Sequence, residues 1–310
     1  MTTDVTGGGR AAGPSRPADA VVPADPAPAP RRRRGPRLST LLGASALLLT
    51  LAIVAVVPLL PQYDVQGQDL SNALAPPFRS STHLLGTDEL GRDTLSRLSA
   101  AGLTSLRIAL PALAISVVLG VTLGLLAGYF GRAANAVIMG VADLQLSIPL
   151  LILLIMVVTI VGPSPTTLTV VLGCTYWMGY GRVARVHALT LGEREFVQAA
   201  RTFGASDGWI IRKHLLPKLV PQLAIMASFD LGVIVILEAG LSYLGLGVQP
   251  PTPSWGGMIL TGQNYLQTNA WLAVFPGLAI FLLVGGVQVL SRRFTREDSP
   301  GSQVQLGGQV

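Results

Sequence analysis

Three carboxylates, Asp143, Asp230 and Glu238, stand inside long apolar runs. A charge at the centre of a bilayer costs about 2.5–3.5 kcal/mol on insertion scales, so an acid there marks a bundle interior, a wet path, or a proton or sodium relay. Asp143 and Asp230 are expected a turn or two from the cytoplasmic ends of their spans, within reach of water and of Arg132. Glu238 is expected deeper, facing a path or a partner subunit. Other chemistry is poorly served. The two lysines, Lys213 and Lys218, are followed by His and Leu, so there is no Gly-Lys-Ser/Thr phosphate loop and no ATP hydrolysis of that kind. His83, His187 and His214 lack metal-ligand spacing. Neither a Gly-x-Ser-x-Gly elbow nor a His-Glu-x-x-His zinc motif is present. The single Cys174 excludes an internal disulfide and reads as a packing residue.

A second kind of chemistry, docking, is offered by residues 193–218, EREFVQAARTFGASDGWIIRKHLLPK, a charged stretch between apolar runs. Phe196, Ala199 or Ala200, and Phe203 recur at helical spacing, which predicts an apolar face, with Arg194, Gln198, Arg201 and Thr202 turned away. Glu193 and Glu195 open the helix and Arg201 closes it, the order that its dipole favours. Gly204 supplies the stop. Ser206 then caps a second helix with Asp207 in its first turn, and Pro217 breaks or kinks it. The expectation is two short helices around a glycine corner.

The elements that must carry these residues follow from composition. Half the residues are apolar and 12% are charged, an unusual balance for a soluble protein. The apolar residues fall in blocks near the roughly 20 residues that cross a bilayer. Six spans are expected, at about 38–60, 104–130, 134–161, 166–186, 219–247 and 271–291, making an all-α membrane protein. With a cytoplasmic amino terminus, every Lys and Arg except Arg79, Arg92, Arg97 and Arg107 lies inside, and so does the 193–218 loop. The positive charge therefore reports topology rather than nucleic-acid binding, for which aromatic stacking platforms are also lacking. Residues 1–37, rich in Pro, Ala, Gly and Arg, read as a disordered cytoplasmic tail. Its Arg31–Arg34 run, set before an apolar block that is long for a cleaved signal, reads as a retained signal anchor that touches anionic lipid. Residues 294–310 read as a second cytoplasmic tail.

Between the first two spans, residues 61–103 are expected as an outer loop with an amphipathic helix on the membrane near Leu95 and Leu98. It contains the string Leu85-Gly86-Thr87-Asp88-Glu89-Leu90-Gly91-Arg92-Asp93, in which Thr87 is expected to cap a turn. No chemistry is required by that spacing alone. A second string, Glu238 to Gly257, closes the fifth span and enters another outer loop. Pro111, Pro149 and Pro276 fall within spans and are expected to kink them.

These motifs carry a resemblance. The Ala199-Ala200, Gly204-Ala205 and Leu216-Pro217 pattern resembles the cytoplasmic "EAA" loop of binding-protein-dependent ABC importer permeases. Gln198 replaces the usual Glu and His214 the usual Ile; a His before Leu-Leu-Pro is similar to the peptide and nickel branch. The run with Gly86, Thr87, Asp88, Gly91, Arg92 and Asp93 is similar to the "LGTDxxGRD" signature of the second permease subunit of that branch, as is the Glu238–Gly257 string. Covering about 83–293, the resemblance implies a type I importer bundle in the cell membrane, with the transporter domain over 104–293. It also implies a homologous permease partner, two ATPase subunits that hold ATP and Mg, and an extracytoplasmic solute-binding protein, with no cofactor on this chain. The ATPases would dock on Glu195, Phe196, Gln198 and the EAA-like residues, relying on helix shape and the Gly204 corner more than on one leading carboxylate. Peptides are the expected substrate class, and nickel or a metal chelate the alternative. An ion-coupled transporter using the three acids leaves the 193–218 loop without a reason, and a membrane enzyme lacks a nucleophile or metal set.

Overall fold

The structure, a computed structural model, describes residues 38–192 and 194–297; the expected tail over 1–37 and most of that over 294–310 lie outside the described residues. Within them the chain is helical, and the only bridge pairs Thr87 with Asp93. Eleven α-helices run in order: α1 Leu38–Val56, α2 Thr94–Tyr129, α3 Arg132–Leu146, α4 Leu150–Val161, α5 Pro165–Thr175, α6 Trp177–Gly192, α7 Glu195–Thr202, α8 Asp207–Ile210, α9 Leu216–Tyr243, α10 Trp255–Gly262 and α11 Trp271–Glu297.

Four of these stretches are long and apolar enough to cross a bilayer, and a fifth is the pair α3 and α4, bent by 92°. Of the six spans expected, four are thus single helices and one is this bent pair. The span foreseen at 134–161 breaks at residues 147–149, where Pro149 lacks an N–H and stands just before α4. The span foreseen at 166–186 splits at Tyr176. Pro111 and Pro276, by contrast, lie within the continuous helices α2 and α11.

Helix α2 organises the bundle. It starts at Thr94, ten residues before the expected span, because the carboxylate of Asp93 caps it by accepting the Ser96 N–H at 2.8 Å. The turns near Leu95 and Leu98, expected as a separate helix on the membrane, are thus its first turns, and Leu98 is buried. Its 36 residues rise about 54 Å at 1.5 Å each, more than the thickness of a bilayer, so its two ends stand on opposite sides. Gly120, Gly124 and Gly128, spaced by four, line the face of α2 that packs on α6. A Cβ on Gly128 would lie 2.7 Å from that of Ala188, and one on Gly124 would lie 2.8 Å from that of Ala184. Small residues at this spacing let two backbones approach closely, which is the main attraction available between helices in lipid.

One hydrophobic core joins α2, α4, α5, α9 and α10 around Ile108, Leu154, Leu172, Ile234 and Trp255. A second, around Val121, Tyr180, Val197, Ile210 and Leu219, joins α2, α6 and α9 to the 195–215 loop.

Candidate functional site

The loop begins with α7. The face expected to be apolar, Phe196 with Ala199 and Phe203, stands out from the protein, and Phe203 is 90% exposed. Val197 is buried instead, with Ala200 partly buried beside it. The spacing picked out the exposed stripe, and the core contact is made by Val197, on the other side of this short helix.

Gly204 ends α7 with φ +84°. The Ala205 N–H donates to the Ala200 carbonyl at 3.0 Å and the Gly204 N–H to that of Arg201 at 2.9 Å, a Schellman closure that needs the left-handed conformation at Gly204. Ser206 then caps α8, its Oγ accepting the Trp209 N–H at 3.4 Å. The second helix does not stop at Pro217. It runs through a single π turn, Ile211–Leu215, directly into α9, so 207–243 forms one stretch. The wider turn leaves room beside the Lys213 carbonyl, which the Pro217 ring would strike in a regular helix.

On the exposed side of the loop, the His214 ring lies 5.5 Å from that of Phe196 and 5.1 Å from that of Trp209. The Lys218 Nζ stands 4.3 Å over the Phe196 ring, a cation–π contact. Glu195, Gln198 and Ala199 share the exposed surface, Leu216 is half-buried and Pro217 exposed. The loop is tied to the end of α2 through Tyr129, a residue that sequence reasoning passed over. The Tyr129 hydroxyl donates to Asp207 Oδ1 at 2.6 Å, and the Arg201 guanidinium lies 4.9 Å over the Tyr129 ring. Arg201 is held protonated more firmly, first by the Tyr129 hydroxyl.

The three acids separate. Asp143 pairs with Arg182, not Arg132, at 2.6 Å, and both side chains are well exposed, at 67% and 50%. Asp230 accepts the hydroxyl of buried Tyr180 at 2.6 Å and borders a cavity that Arg182 also lines. Glu238, expected on a path or partner face, is 0% exposed. It accepts Ser105 Oγ from α2 at 2.7 Å and Ser242 Oγ at 2.8 Å, and Ser242 in turn accepts the Val248 N–H at 3.3 Å. Glu238 therefore braces α9 and its following loop against α2. Further along the same string the Trp255 indole donates to the Leu98 carbonyl at 3.0 Å, which extends that brace.

The Leu85–Asp93 string also acquires a physical reason. Thr87 does not cap a turn; its hydroxyl donates to the Asn72 carbonyl and accepts the Ala75 N–H at 2.9 Å. Asp88 is the hub, accepting the N–H groups of Leu90 and Arg92 at 2.9 and 3.0 Å and pairing with Arg92 Nε at 2.7 Å and Arg97 Nε at 3.2 Å. Gly86 and Gly91, at φ +76° and +72°, press their backbones onto the carbonyls of Ala75 and Asp69, where a Cβ would collide. Ser71 and then Asn72 donate to the Asp69 carboxylate and hold it below the usual range. Asp93 caps α2 and meets His83 Nδ1 at 3.1 Å. The string is a folded clasp on α2. Among the described residues no group of three His, Cys, Asp or Glu is placed to hold a metal.

The clasp, the long α2 and the loop latched to its far end belong to a helical protein with several apolar spans, and comparison with known proteins gives its family. Residues 120–297 match the family described as "Binding-protein-dependent transport system inner membrane component". The chain belongs to this family, whose members are multi-pass membrane subunits rather than enzymes. It is 37% identical over 263 residues to the probable D,D-dipeptide transport system permease protein of Escherichia coli (strain K12), covering 82% of this chain and 88% of that one. The nickel transport system permease protein of the same organism is 36% identical, at 80% and 90% coverage. A chain of the MetNI methionine ABC transporter, solved in an inward facing form, shares the fold at a TM-score of 0.52 and 22% identity, covering 66% of this chain and 97% of that one.

Proposed function

We propose that this chain forms half of the translocation path of an ATP-driven importer for di- or oligopeptides. A homologous permease supplies the other half, two ATPase subunits bind ATP and Mg, and an extracytoplasmic binding protein delivers the solute. The observation that carries this reading is the exposed face of Phe196, Phe203 and Trp209, with half-buried His214 against the rings of Phe196 and Trp209, mounted on a loop whose other face, Val197 and Ile210, is built into the core. Such a patch, rigid behind and apolar in front, suits a partner protein. In this reading it is cytoplasmic, as is the amino terminus, and the broken pairs α3–α4 and α5–α6 each complete a crossing to make six. The ATPases, binding it differently in their two states, shift the bundle between outward and inward access.

Peptide substrates are supported by relatives named for D,D-dipeptide, dipeptide and oligopeptide transport. The nickel relative supports the second reading, a nickel or chelate permease. The experiment is ATP-driven uptake by the complete complex in proteoliposomes. A dipeptide should accumulate and nickel should not; the reverse result selects the second reading. Trp209→Ala combined with Phe203→Ala should reduce ATPase co-purification at least about tenfold, as loss of two central aromatic anchors does. Full retention of the ATPases would remove the docking assignment.

A further inference from the structure

The two helix breaks meet. Ile148 and Pro149 from the α3–α4 break, and Thr175 and Tyr176 from the α5–α6 break, line one cavity of about 440 Å³, the size of a small-ligand pocket. Gln145 and Thr175 also wall a second cavity of about 630 Å³ that runs on towards Val161. Discontinuous helices lining a cavity are where membrane transport proteins place polar backbone that lipid would not tolerate.

The charges in the first cavity are unequal. Arg182 is offset by Asp143, which holds it at 2.6 Å. Asp230 receives only the neutral Tyr180 hydroxyl, on Oδ2. The cavity therefore presents one carboxylate without a cationic partner among the described residues, and Tyr176 also lines it. A carboxylate and an aromatic residue lining one cavity are chemistry for an ammonium group, which needs few fixed ligands. A divalent metal needs four or more, and no such set exists among the described residues.

Resting on the importer reading above, we infer that the cavity where the two breaks meet is a subsite for the protonated α-amino group of the transported peptide. Asp230 is its counter-charge, Tyr176 its wall, and Tyr180 the positioning residue that aims the carboxylate.

The test uses the permease–ATPase complex in nanodiscs without the binding protein, and equilibrium binding of alanyl-alanine and its N-acetyl form. Wild type should bind the free amine at least about tenfold more tightly than the acetylated peptide, the order of one charge-assisted contact. Asp230→Asn should bind both equally, and Asp230→Glu should restore part of the preference. Co-purification of each variant with its partner subunits reports that it folds. Equal binding of the two peptides by wild type, unchanged preference in Asp230→Asn, or no binding at all overturns the subsite. ATP-driven uptake by the same complex with the binding protein added decides the importer reading separately.

Discussion

Asp88 gathers two backbone N–H groups and two guanidinium groups onto one carboxylate, while Arg92 and Arg97 are each only 12% exposed. Removing one partner of a buried pair leaves charge without compensation, at a cost of about 3–5 kcal/mol. Asp88→Ala should therefore lower the melting temperature of the detergent-solubilised protein markedly. Glu89→Ala should do much less, because Glu89 makes a single contact, to Arg92 at 3.3 Å. Equal melting temperatures for Asp88→Ala and wild type would show that the clasp stabilises nothing. The string was legible in the sequence as a string, but its reason was not, because Gly86 and Gly91 meet backbone at Ala75 and Asp69, which only the fold brings near. Glu238 was legible as a deep acid, yet its partner Ser105 lies 133 residues away, so its enclosure was not.

Helices were legible where apolar length alone decides them, as in α1, α2 and α11, and misread where a span contains a break. Pro149 was seen, but whether a proline kinks or ends a helix depends on neighbours that satisfy the freed carbonyl. At Pro111 the helix runs on, and at Pro149 the chain turns. The Gly120, Gly124 and Gly128 row was readable as small residues at every fourth position and is the strongest packing signal the sequence offers for α2. Gly124→Val would force α2 from α6 at a contact already too close for a Cβ. Overpacking of this kind costs about 1–3 kcal/mol or more, read as loss of monodisperse protein in detergent. Gly140→Val, where no atom lies within 4 Å of the added Cβ, is the matched control and should purify normally. Similar yields of the two variants would rule out close α2–α6 packing as a source of stability.

At the scale of the molecule, α2 carries the clasp at one end and the docking loop at the other, and Tyr129 is the residue that fastens the loop. Tyr129→Phe keeps the ring under Arg201 and removes the hydrogen bond to Asp207, worth about 1 kcal/mol. Amides of 195–210 should then exchange with solvent about fivefold faster, with those of α2 unchanged. Unchanged exchange in the loop would mean that its core contacts alone hold it. The π turn at 211–215 has its own consequence. It holds in effect one residue more than an α-helix would, and each residue of a helix turns the chain by about 100°. The compass bearing of α7, and with it the direction in which Phe196, Phe203 and Trp209 look, is thus a matter of phase. Losing one residue between Ile211 and Leu215 would leave their side chains chemically intact and swing the aromatic face about a quarter turn around α9.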